Sequence, residues 1–176
     1  MRLFIAINIP EKVSDHLFEL QKRLSGGKLT LTKSFHLTLK FLGEVTPAQT
    51  EEIKKRLQKI QFKQFTASLD GTGIFPSEQM IRVVWIGIEP SEIICELQKQ
   101  IDEALPLKKE KDFKAHITLA RVKTVENKKQ FSEQVKNLKV EKIPFEVKEF
   151  KLIQSQLRGR EGPLYTDLEV YSAKAL

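Results

Sequence analysis

The sequence predicts a fold of mixed helices and strands, built from two similar halves with a cleft between them. Three observations support this prediction: strand and helix periodicities alternate along the 176 residues, a histidine–threonine motif occurs twice, and the halves repeat in a single register. With 40% hydrophobic residues, the chain can bury a core as one domain, 1–176, whose repeated lobes span roughly 1–75 and 80–176.

The repeated motif is a histidine, an apolar residue, a threonine and a leucine, beginning at His36 and again at His116. The alternation predicts two strands, each with its histidine on the same face as Thr38 or Thr118 and its apolar residues toward the core. The chain has three histidines, and two of them stand in this motif. Two such strands can present two imidazoles to one substrate. The third, His16, is predicted to be an exposed side chain of a helix.

Five elements are predicted in the first half, each bounded by proline, glycine or a polar cluster. They are a strand at 2–9, a helix at 10–24, the motif strand at 36–43, a helix from 47 and a strand at 62–69. The cluster from Asp70 to Gly73 predicts a turn. The stretch 75–77 predicts a loop that links the two halves.

The second half repeats this order and adds to it. Its elements are a strand at 81–88, a helix from 90, a charged connection at 108–114, the motif strand at 116–122, a helix at 126–137, and strands at 145–156 and 164–171 joined by a hairpin loop. Five residue types recur 80 positions apart: proline at 10 and 90, histidine at 36 and 116, threonine at 38 and 118, leucine at 39 and 119, and phenylalanine at 65 and 145. This agreement indicates a duplication, and hence a pseudo-twofold axis across which the motif strands face each other.

The formal net charge of +7 favours anionic partners, of which nucleic acid is the most natural. A basic protein without such a partner is the alternative. The single cysteine, Cys95, cannot form an internal disulfide and is predicted to be a buried thiol. The N-terminal apolar run is too short to span a membrane. We therefore expect a cytoplasmic monomer without membrane contact.

The paired histidines fit general acid–base catalysis better than two other chemistries. A zinc site would lack two ligands, because no Cys, Asp or Glu is suitably spaced beside either motif, and no nucleophile elbow is present. One imidazole can accept a proton while the other donates one, which suits in-line displacement at phosphorus without a metal. The hydroxyls of Thr38 and Thr118 can bond to the non-bridging phosphate oxygens.

These motifs and their flanks resemble the 2H phosphoesterase superfamily, and within it the RNA 2′,3′-cyclic phosphodiesterases, also called 2′-5′ RNA ligases. The stretches that carry the resemblance are residues 1–6, 36–43, 73–76, 84–87, 116–121 and 162–165. The resemblance implies an α+β fold of two pseudo-twofold-related lobes, each an antiparallel sheet with flanking helices. It also implies a cleft between the lobes that works without a metal or other cofactor.

The activity that the resemblance implies is hydrolysis of an RNA 2′,3′-cyclic phosphate to a 2′-phosphomonoester. The same chemistry implies joining or cleaving of 2′-5′ links without ATP. In this family the first histidine is the proton donor and the second the acceptor, which gives these roles to His36 and His116. Thr38 and Thr118 would bind the phosphate. The opposite assignment of the histidines stays open, because the halves are alike.

Further residues near the motifs are predicted to contact the substrate, with simple exposure to solvent as the alternative for each. Lys40 falls on the face of His36 and Thr38. The predicted RNA or phosphate contacts are Arg121, Lys40, Arg158 and Arg160. Phe41 or Phe113 is predicted to stack on a base. Two other interpretations remain: a non-catalytic RNA- or nucleotide-binding module, and an enzyme for a small cyclic nucleotide.

Overall fold

The computed structural model describes residues 1–174 as an α+β fold with two antiparallel sheets and four α-helices. The strands are β1 Arg2–Asn8, β2 Gly27–Leu31, β3 His36–Glu44, β4 Phe65–Pro76, β5 Ile81–Glu89, β6 His116–Val125, β7 Phe145–Val147, β8 Glu149–Leu157 and β9 Pro163–Ser172. The helices are α1 Glu11–Gln21, α2 Pro47–Leu57, α3 Ser91–Ala104 and α4 Lys128–Lys136. The predicted α+β class with antiparallel sheets is confirmed.

Both sheets combine strands from the two halves of the sequence. Sheet A has the strand order β3-β1-β8-β9, and sheet B has the order β2-β6-β5-β4-β7. The late strand β8 pairs with β1, whereas β4 from the first half pairs with β5 from the second. The duplicated halves therefore exchange strands, and neither sheet is formed by one half alone.

The 80-residue offset of the sequence reappears in the pairing of β4 with β7. Thr66 lies opposite Glu146, and the Thr66 hydroxyl donates a hydrogen bond to Glu146 Oε1 at 2.5 Å. Phe65 and Phe145 flank this pair on opposite strands. Because the central partners are 80 positions apart, equivalent strands of the two halves meet antiparallel, as a local twofold axis requires.

One hydrophobic core is shared by the two sheets and the helices. It includes Ile5 from sheet A and Ile117 from sheet B. Five consecutive residues of β1 are buried, as the continuous apolar run predicts for a central strand. A smaller cluster, formed by Phe4, Ala6 and Ile153, lies apart from this core. Sheet A thus buries residues on both faces, and the face with the smaller cluster carries His36.

Local signals in the sequence define where two of the helices begin. Thr46 and Gln49 form a capping box before α2, in which the Thr46 hydroxyl accepts from the Gln49 amide at 3.2 Å and Gln49 Oε1 accepts from the Thr46 amide at 2.9 Å. Asn127 caps α4 by accepting from the Gln130 amide at 3.0 Å. These caps fix the helices that follow the two motif strands.

The predicted turn at 70–73 is wrong, and of the predicted loop at 75–77 only Ser77 lies outside a strand. β4 continues to Pro76 and absorbs the polar cluster as an irregularity in its pairing with β5, with Gly71 at a φ of +70°. Phe75 pairs with Val83, so this segment ends one strand of a hairpin. The halves are therefore joined through a β-hairpin, with residues 77–80 between its strands.

Two further boundaries differ from the predictions. The strand predicted at 145–156 is interrupted at Lys148, and its parts β7 and β8 belong to different sheets. Helix α1 ends at Gln21, before the predicted Leu24, and β2 begins at Gly27. A side chain at that glycine would lie 2.6 Å from the Thr124 carbonyl oxygen, so only glycine fits this close approach of β2 to β6.

Candidate active site

Both motif strands carry the same irregularity directly after the threonine. In β3, Thr38 and Lys40 pair with adjacent residues of β1, which leaves Leu39 as an extra residue. In β6 the equivalent Leu119 is the extra residue, and Gln21 Nε2 donates a hydrogen bond to its carbonyl at 2.8 Å. Each β-bulge shifts the alternation of faces by one residue. Histidine and threonine precede the bulge and share one face by regular alternation, whereas the second residue after each threonine follows the bulge and turns to the other face.

The bulge in β3 overturns one predicted contact. Lys40 lies opposite Ile5 on the core side, away from His36, and its side chain is 2% exposed. Its Nζ donates to Asp102 Oδ1 at 2.5 Å and to the Lys108 carbonyl at 2.7 Å. The prediction that Lys40 contacts phosphate is wrong, because the alternation on which it rests does not continue through a bulge.

The two motif strands meet across the sheets, with Cα atoms of β3 and β6 within 8 Å of each other. Burial raises the pKa of the Tyr165 phenol of sheet A, and the positive charge of Arg121 on β6 partly offsets this. A side chain of one sheet thus lies within electrostatic reach of the other. The polar residues of both motif strands are half-buried: His36, Thr38, His116 and Thr118.

His36 lies between two aromatic rings and beside an ion pair. Its ring contacts Tyr165 edge-on at 5.0 Å and Phe4 at 5.6 Å between centroids. Burial lowers the pKa of the imidazole, the Asp167 carboxylate raises it, and the Lys151 ammonium lowers it again, with a net decrease. Lys151 Nζ donates to Asp167 Oδ2 at 2.7 Å. Of the two charged neighbours, Asp167 and Lys151, only the carboxylate favours a charged His36.

His116 is held in one orientation by the backbone. Its Nδ1 lies 2.7 Å from the Lys114 carbonyl oxygen, which can only accept, so Nδ1 carries the proton and Nε2 keeps its lone pair. The ring packs edge-on against Phe75 at 5.0 Å. Burial lowers the pKa of His116, the carbonyl bond raises it, and the charges of Lys114 and Arg121 lower it again, with a net decrease.

Trp85 supports the ring that packs against His116. It stacks on Phe75 at 5.0 Å between centroids, and Lys114 Nζ lies 4.5 Å from the centre of the indole. Gly73 pairs with Trp85, and a Cβ at that glycine would lie 1.9 Å from Trp85 Cζ2. The absence of a side chain at Gly73 therefore makes room for the indole beside His116. Among residues 1–174, the buried Trp85 Nε1 has no hydrogen-bond partner.

The remaining predicted contacts divide into those near the motifs and those elsewhere. Arg121 is exposed on β6, within electrostatic reach of His116. Arg158 and Arg160 are exposed in the turn between β8 and β9. A Cβ at Gly162 in this turn would lie 3.8 Å from the Lys33 side chain. Lys33 borders a depression of about 230 Å³ that also opens onto His36. The turn thus lies next to Lys33, which borders the depression at His36.

The two phenylalanines predicted to stack on a base have different surroundings. Phe113 is partly buried and packs against the main core. Phe41 is 65% exposed and contacts Phe4 with its ring centroid at 6.1 Å. Only Phe41 of this pair therefore presents a ring to solvent near His36.

Several neighbours of the histidines escape prediction from the sequence. Tyr165, Asp167 and Lys151 reach His36 because β8 and β9 join sheet A after more than a hundred intervening residues. Lys114 lies in the connection at 108–114, whose charged residues predict only solvent exposure. Its position two residues before His116 is a usable signal, because residues spaced by two share a side of an extended chain.

Among residues 1–174, no group of three or more His, Cys, Asp or Glu side chains is arranged to hold a metal ion.

Cys95 is half-buried, less than predicted, and burial raises the pKa of its thiol. Within residues 1–174, no helix is long and apolar enough to cross a bilayer.

The sequence matches the model of the LigT like Phosphoesterase family twice, over residues 7–85 and 86–165. The chain belongs to the LigT-like phosphoesterases. A relative from Methanocaldococcus jannaschii, named RNA 2′,3′-cyclic phosphodiesterase, is 38% identical over 174 residues, which cover 94% of this chain and 96% of the relative. The predicted family is thus confirmed, and one match falls on each motif.

Two solved structures are similar to this LigT-like phosphoesterase over nearly its whole length. The crystal structure of a Thermus thermophilus protein has a TM-score of 0.82 at 29% identity and covers 99% of both chains. The crystal structure of Escherichia coli LigT complexed with 3′-AMP has a TM-score of 0.73 at 25% identity, covering 98% of this chain and 97% of that one.

Proposed function

We propose that this LigT-like phosphoesterase hydrolyses the 2′,3′-cyclic phosphate at the 3′ end of RNA to a 2′-phosphomonoester. The observation that carries the proposal is the unequal pair of histidines: His116 is fixed with Nε2 free to accept a proton, and His36 has a carboxylate, Asp167, in its field. The name of the Methanocaldococcus jannaschii relative and the 3′-AMP complex of Escherichia coli LigT support an RNA or nucleotide substrate.

The reaction needs two proton transfers on opposite sides of phosphorus. His116 Nε2 takes a proton from water, and the resulting oxygen nucleophile forms a bond to phosphorus. The bond from phosphorus to the 3′ oxygen breaks, and protonated His36 donates its proton to that oxygen. Water adds across the ring, so the phosphate remains on the 2′ oxygen. Each histidine finishes in the other's starting protonation state, and exchange with solvent restores both.

The threonines bind the group whose charge grows during this displacement. Thr38 and Thr118 each lie two residues after a histidine on the same strand face, half-buried. Their hydroxyls donate hydrogen bonds to the two non-bridging oxygens, and Arg121 adds a positive charge nearby. No metal or other cofactor takes part in this mechanism.

Binding of the anionic substrate is expected to raise the pKa of His36, which burial lowers in the free protein. Burial lowers the pKa of this imidazole in the free protein. A phosphodiester in the cleft is an opposite charge close to the imidazolium, which raises its pKa. The donor is therefore charged when the substrate is bound. The same arrangement accommodates a 5′-hydroxyl in place of water, which gives ATP-independent 2′-5′ ligation, and the reverse reaction cleaves such a link.

The test is to incubate the protein, with chelator and without ATP, with a short RNA that ends in a 2′,3′-cyclic phosphate. We expect a product heavier by one water with its phosphate on the 2′ oxygen. His36→Ala and His116→Ala are expected to lower kcat by at least about a hundredfold each. His16→Ala is the matched control, because His16 lies on α1 and outside both motif strands. Its Nε2 accepts a hydrogen bond from the Glu141 amide at 2.9 Å.

Each other outcome overturns the proposal in a recognisable way. A 3′-phosphate product would reject the assigned leaving oxygen. RNA binding without conversion would favour the non-catalytic module, and conversion of cyclic mononucleotides alone would favour the small-nucleotide enzyme. Full activity in either His36→Ala or His116→Ala would reject two-histidine catalysis.

A further inference from the structure

A second concave surface begins where the first motif strand ends. We call it the side groove: Phe41 and Leu42 of β3 form one wall, and residues 107–112, between α3 and β6, form the other. Its volume of about 620 Å³ is within the range of nucleotide-sized ligand sites. The mechanism above uses no residue of this groove.

The β3 wall of the groove presents an aromatic ring. Phe41 is the third residue after Thr38, about 10 Å further along the strand. Leu39 is an extra residue in the ladder, so Phe41 lies opposite Phe4, the ring that also contacts His36. Its 65% exposure is high for a phenylalanine, a residue type that is most often buried. The groove and the cleft are therefore joined through neighbouring rings.

The opposite wall is a basic segment held in place by a buried ion pair. Its side chains are exposed, and its charged residues are three lysines and two carboxylates: Lys108, Lys109, Lys111, Glu110 and Asp112. Lys40 Nζ donates to the Lys108 carbonyl at 2.7 Å, and Asp102 Oδ2 accepts from the Glu110 amide at 2.8 Å. The Lys40–Asp102 pair thus ties the backbone of this segment to β3 and α3.

We propose that the side groove binds the RNA strand on the 5′ side of the cyclic phosphate, with Phe41 stacking on a base and Lys109 and Lys111 contacting phosphates. This inference rests on the proposed function. A 2′,3′-cyclic phosphate occupies the 3′-terminal nucleotide, so the rest of the strand extends in the 5′ direction only and needs one binding surface. An aromatic ring beside basic side chains is the usual arrangement for binding single-stranded nucleic acid. Lys40 and Asp102 are positioning residues for the basic wall.

The experiment compares two substrates at several salt concentrations: 2′,3′-cyclic AMP and a hexanucleotide that ends in a 2′,3′-cyclic phosphate. We expect the intact protein to prefer the hexanucleotide in kcat/KM, with a preference that falls as salt rises. In Lys109→Ala/Lys111→Ala, the slope of log kcat/KM against log salt for the hexanucleotide should become shallower by about 1.4, which corresponds to two lost phosphate contacts.

Two comparisons make this result specific. Lys129→Ala/Lys139→Ala removes two exposed lysines from α4 and the segment that follows it, and should keep the original slope. Phe41→Ala should lower the ratio of hexanucleotide to cyclic AMP kcat/KM by about tenfold, the contribution of one stacked base, and Phe41→Tyr should retain the ratio.

The failures of the two proposals are distinguishable. A protein that hydrolyses neither substrate fails the proposed function. A protein that hydrolyses both with equal kcat/KM overturns the side groove and leaves the proposed function intact. Equal salt slopes in Lys109→Ala/Lys111→Ala and the intact protein would also overturn the proposed RNA binding in the side groove. The same conclusion would follow if Lys129→Ala/Lys139→Ala reduced the slope as much as Lys109→Ala/Lys111→Ala does.

Discussion

The buried pair of Lys40 and Asp102 permits a quantitative prediction of stability. The side chains are 2% and 6% exposed, so removal of either partner leaves a charge in the interior. Asp102→Ala leaves the Lys40 ammonium with the Lys108 carbonyl as its remaining partner. Breaking a buried pair in this way costs about 3–5 kcal/mol. For a domain of this size, that corresponds to a decrease in Tm of about 6–20 °C.

The assay is thermal and urea unfolding of a double-mutant cycle. The variants are Asp102→Ala, Lys40→Met, and Lys40→Met/Asp102→Ala, in which both charges are removed. We expect the double variant to be more stable than Asp102→Ala, because no unpaired charge remains. A loss below about 1 kcal/mol in Asp102→Ala, or strictly additive effects, would refute the view that the pair is desolvated and coupled.

The stabilisation by the Lys40–Asp102 pair should depend on pH in a defined direction. Burial raises the pKa of Asp102, but its favourable contacts, of which the hydrogen bonds from Lys40 and the Glu110 amide are the largest, together lower the pKa overall. A carboxyl whose pKa is lower in the folded state stabilises it fully above the unfolded pKa, about 3.9, and loses this contribution as pH falls through the folded value. The difference in stability between the intact protein and Asp102→Ala should therefore shrink below about pH 4.

Two further variants probe the surroundings of the histidines. Gly73→Ala places a methyl group against Trp85, so we expect a loss of about 1–3 kcal/mol in unfolding free energy and a decrease in kcat; an unchanged kcat would reject the role of the indole as a support. Asp167→Asn removes the charge that raises the pKa of His36, so the alkaline limb of the kcat/KM profile should move to lower pH, whereas Glu149→Gln, on the other side of the same lysine, should leave it in place.

The motif strands were predictable because their signal is local. Alternation of polar and apolar residues is enough to place His36 with Thr38 and His116 with Thr118. The bulge at Leu39 was not predictable, because nothing in the alternation marks the extra residue. Lys40 consequently turns to the core, where Asp102, a residue of helix α3, pairs with it.

Non-local pairing accounts for the other errors. The segment 145–156 has one continuous alternation, yet β7 pairs with β4 and β8 pairs with β1, so the chain changes sheet at Lys148. The glycines of 70–73 signal a turn when considered alone. In the folded chain they remain in a strand, where Gly73 is required by the bulk of Trp85 opposite. Local propensity carries no information about which strands pair with β7 and β8, or about the indole opposite Gly73.

Duplication gives the two histidines equivalent strands and bulges, so the assignment of donor and acceptor must come from what differs around them. At His116 a backbone carbonyl fixes the proton on Nδ1, and its hydrogen bond favours the imidazolium while the charges of Lys114 and Arg121 disfavour it. At His36 the Asp167 carboxylate favours the imidazolium and the Lys151 ammonium disfavours it. In the proposed mechanism, the symmetric frame presents the two imidazoles to opposite sides of phosphorus, and the asymmetric electrostatics make one a base and the other an acid.

The assignment of His116 as the base and His36 as the acid predicts the pH profile of the free protein. The proposed mechanism requires neutral His116 and protonated His36, so kcat/KM should be bell-shaped. Burial lowers both pKa values, and both limbs should therefore lie at lower pH than two unperturbed histidines of pKa about 6.5 would give. Because bound phosphodiester raises the pKa of His36, the alkaline limb of kcat should lie at higher pH than that of kcat/KM. A profile flat through neutrality would exclude the imidazoles as the proton carriers, and coincident alkaline limbs would exclude the substrate as the charge that protonates the donor.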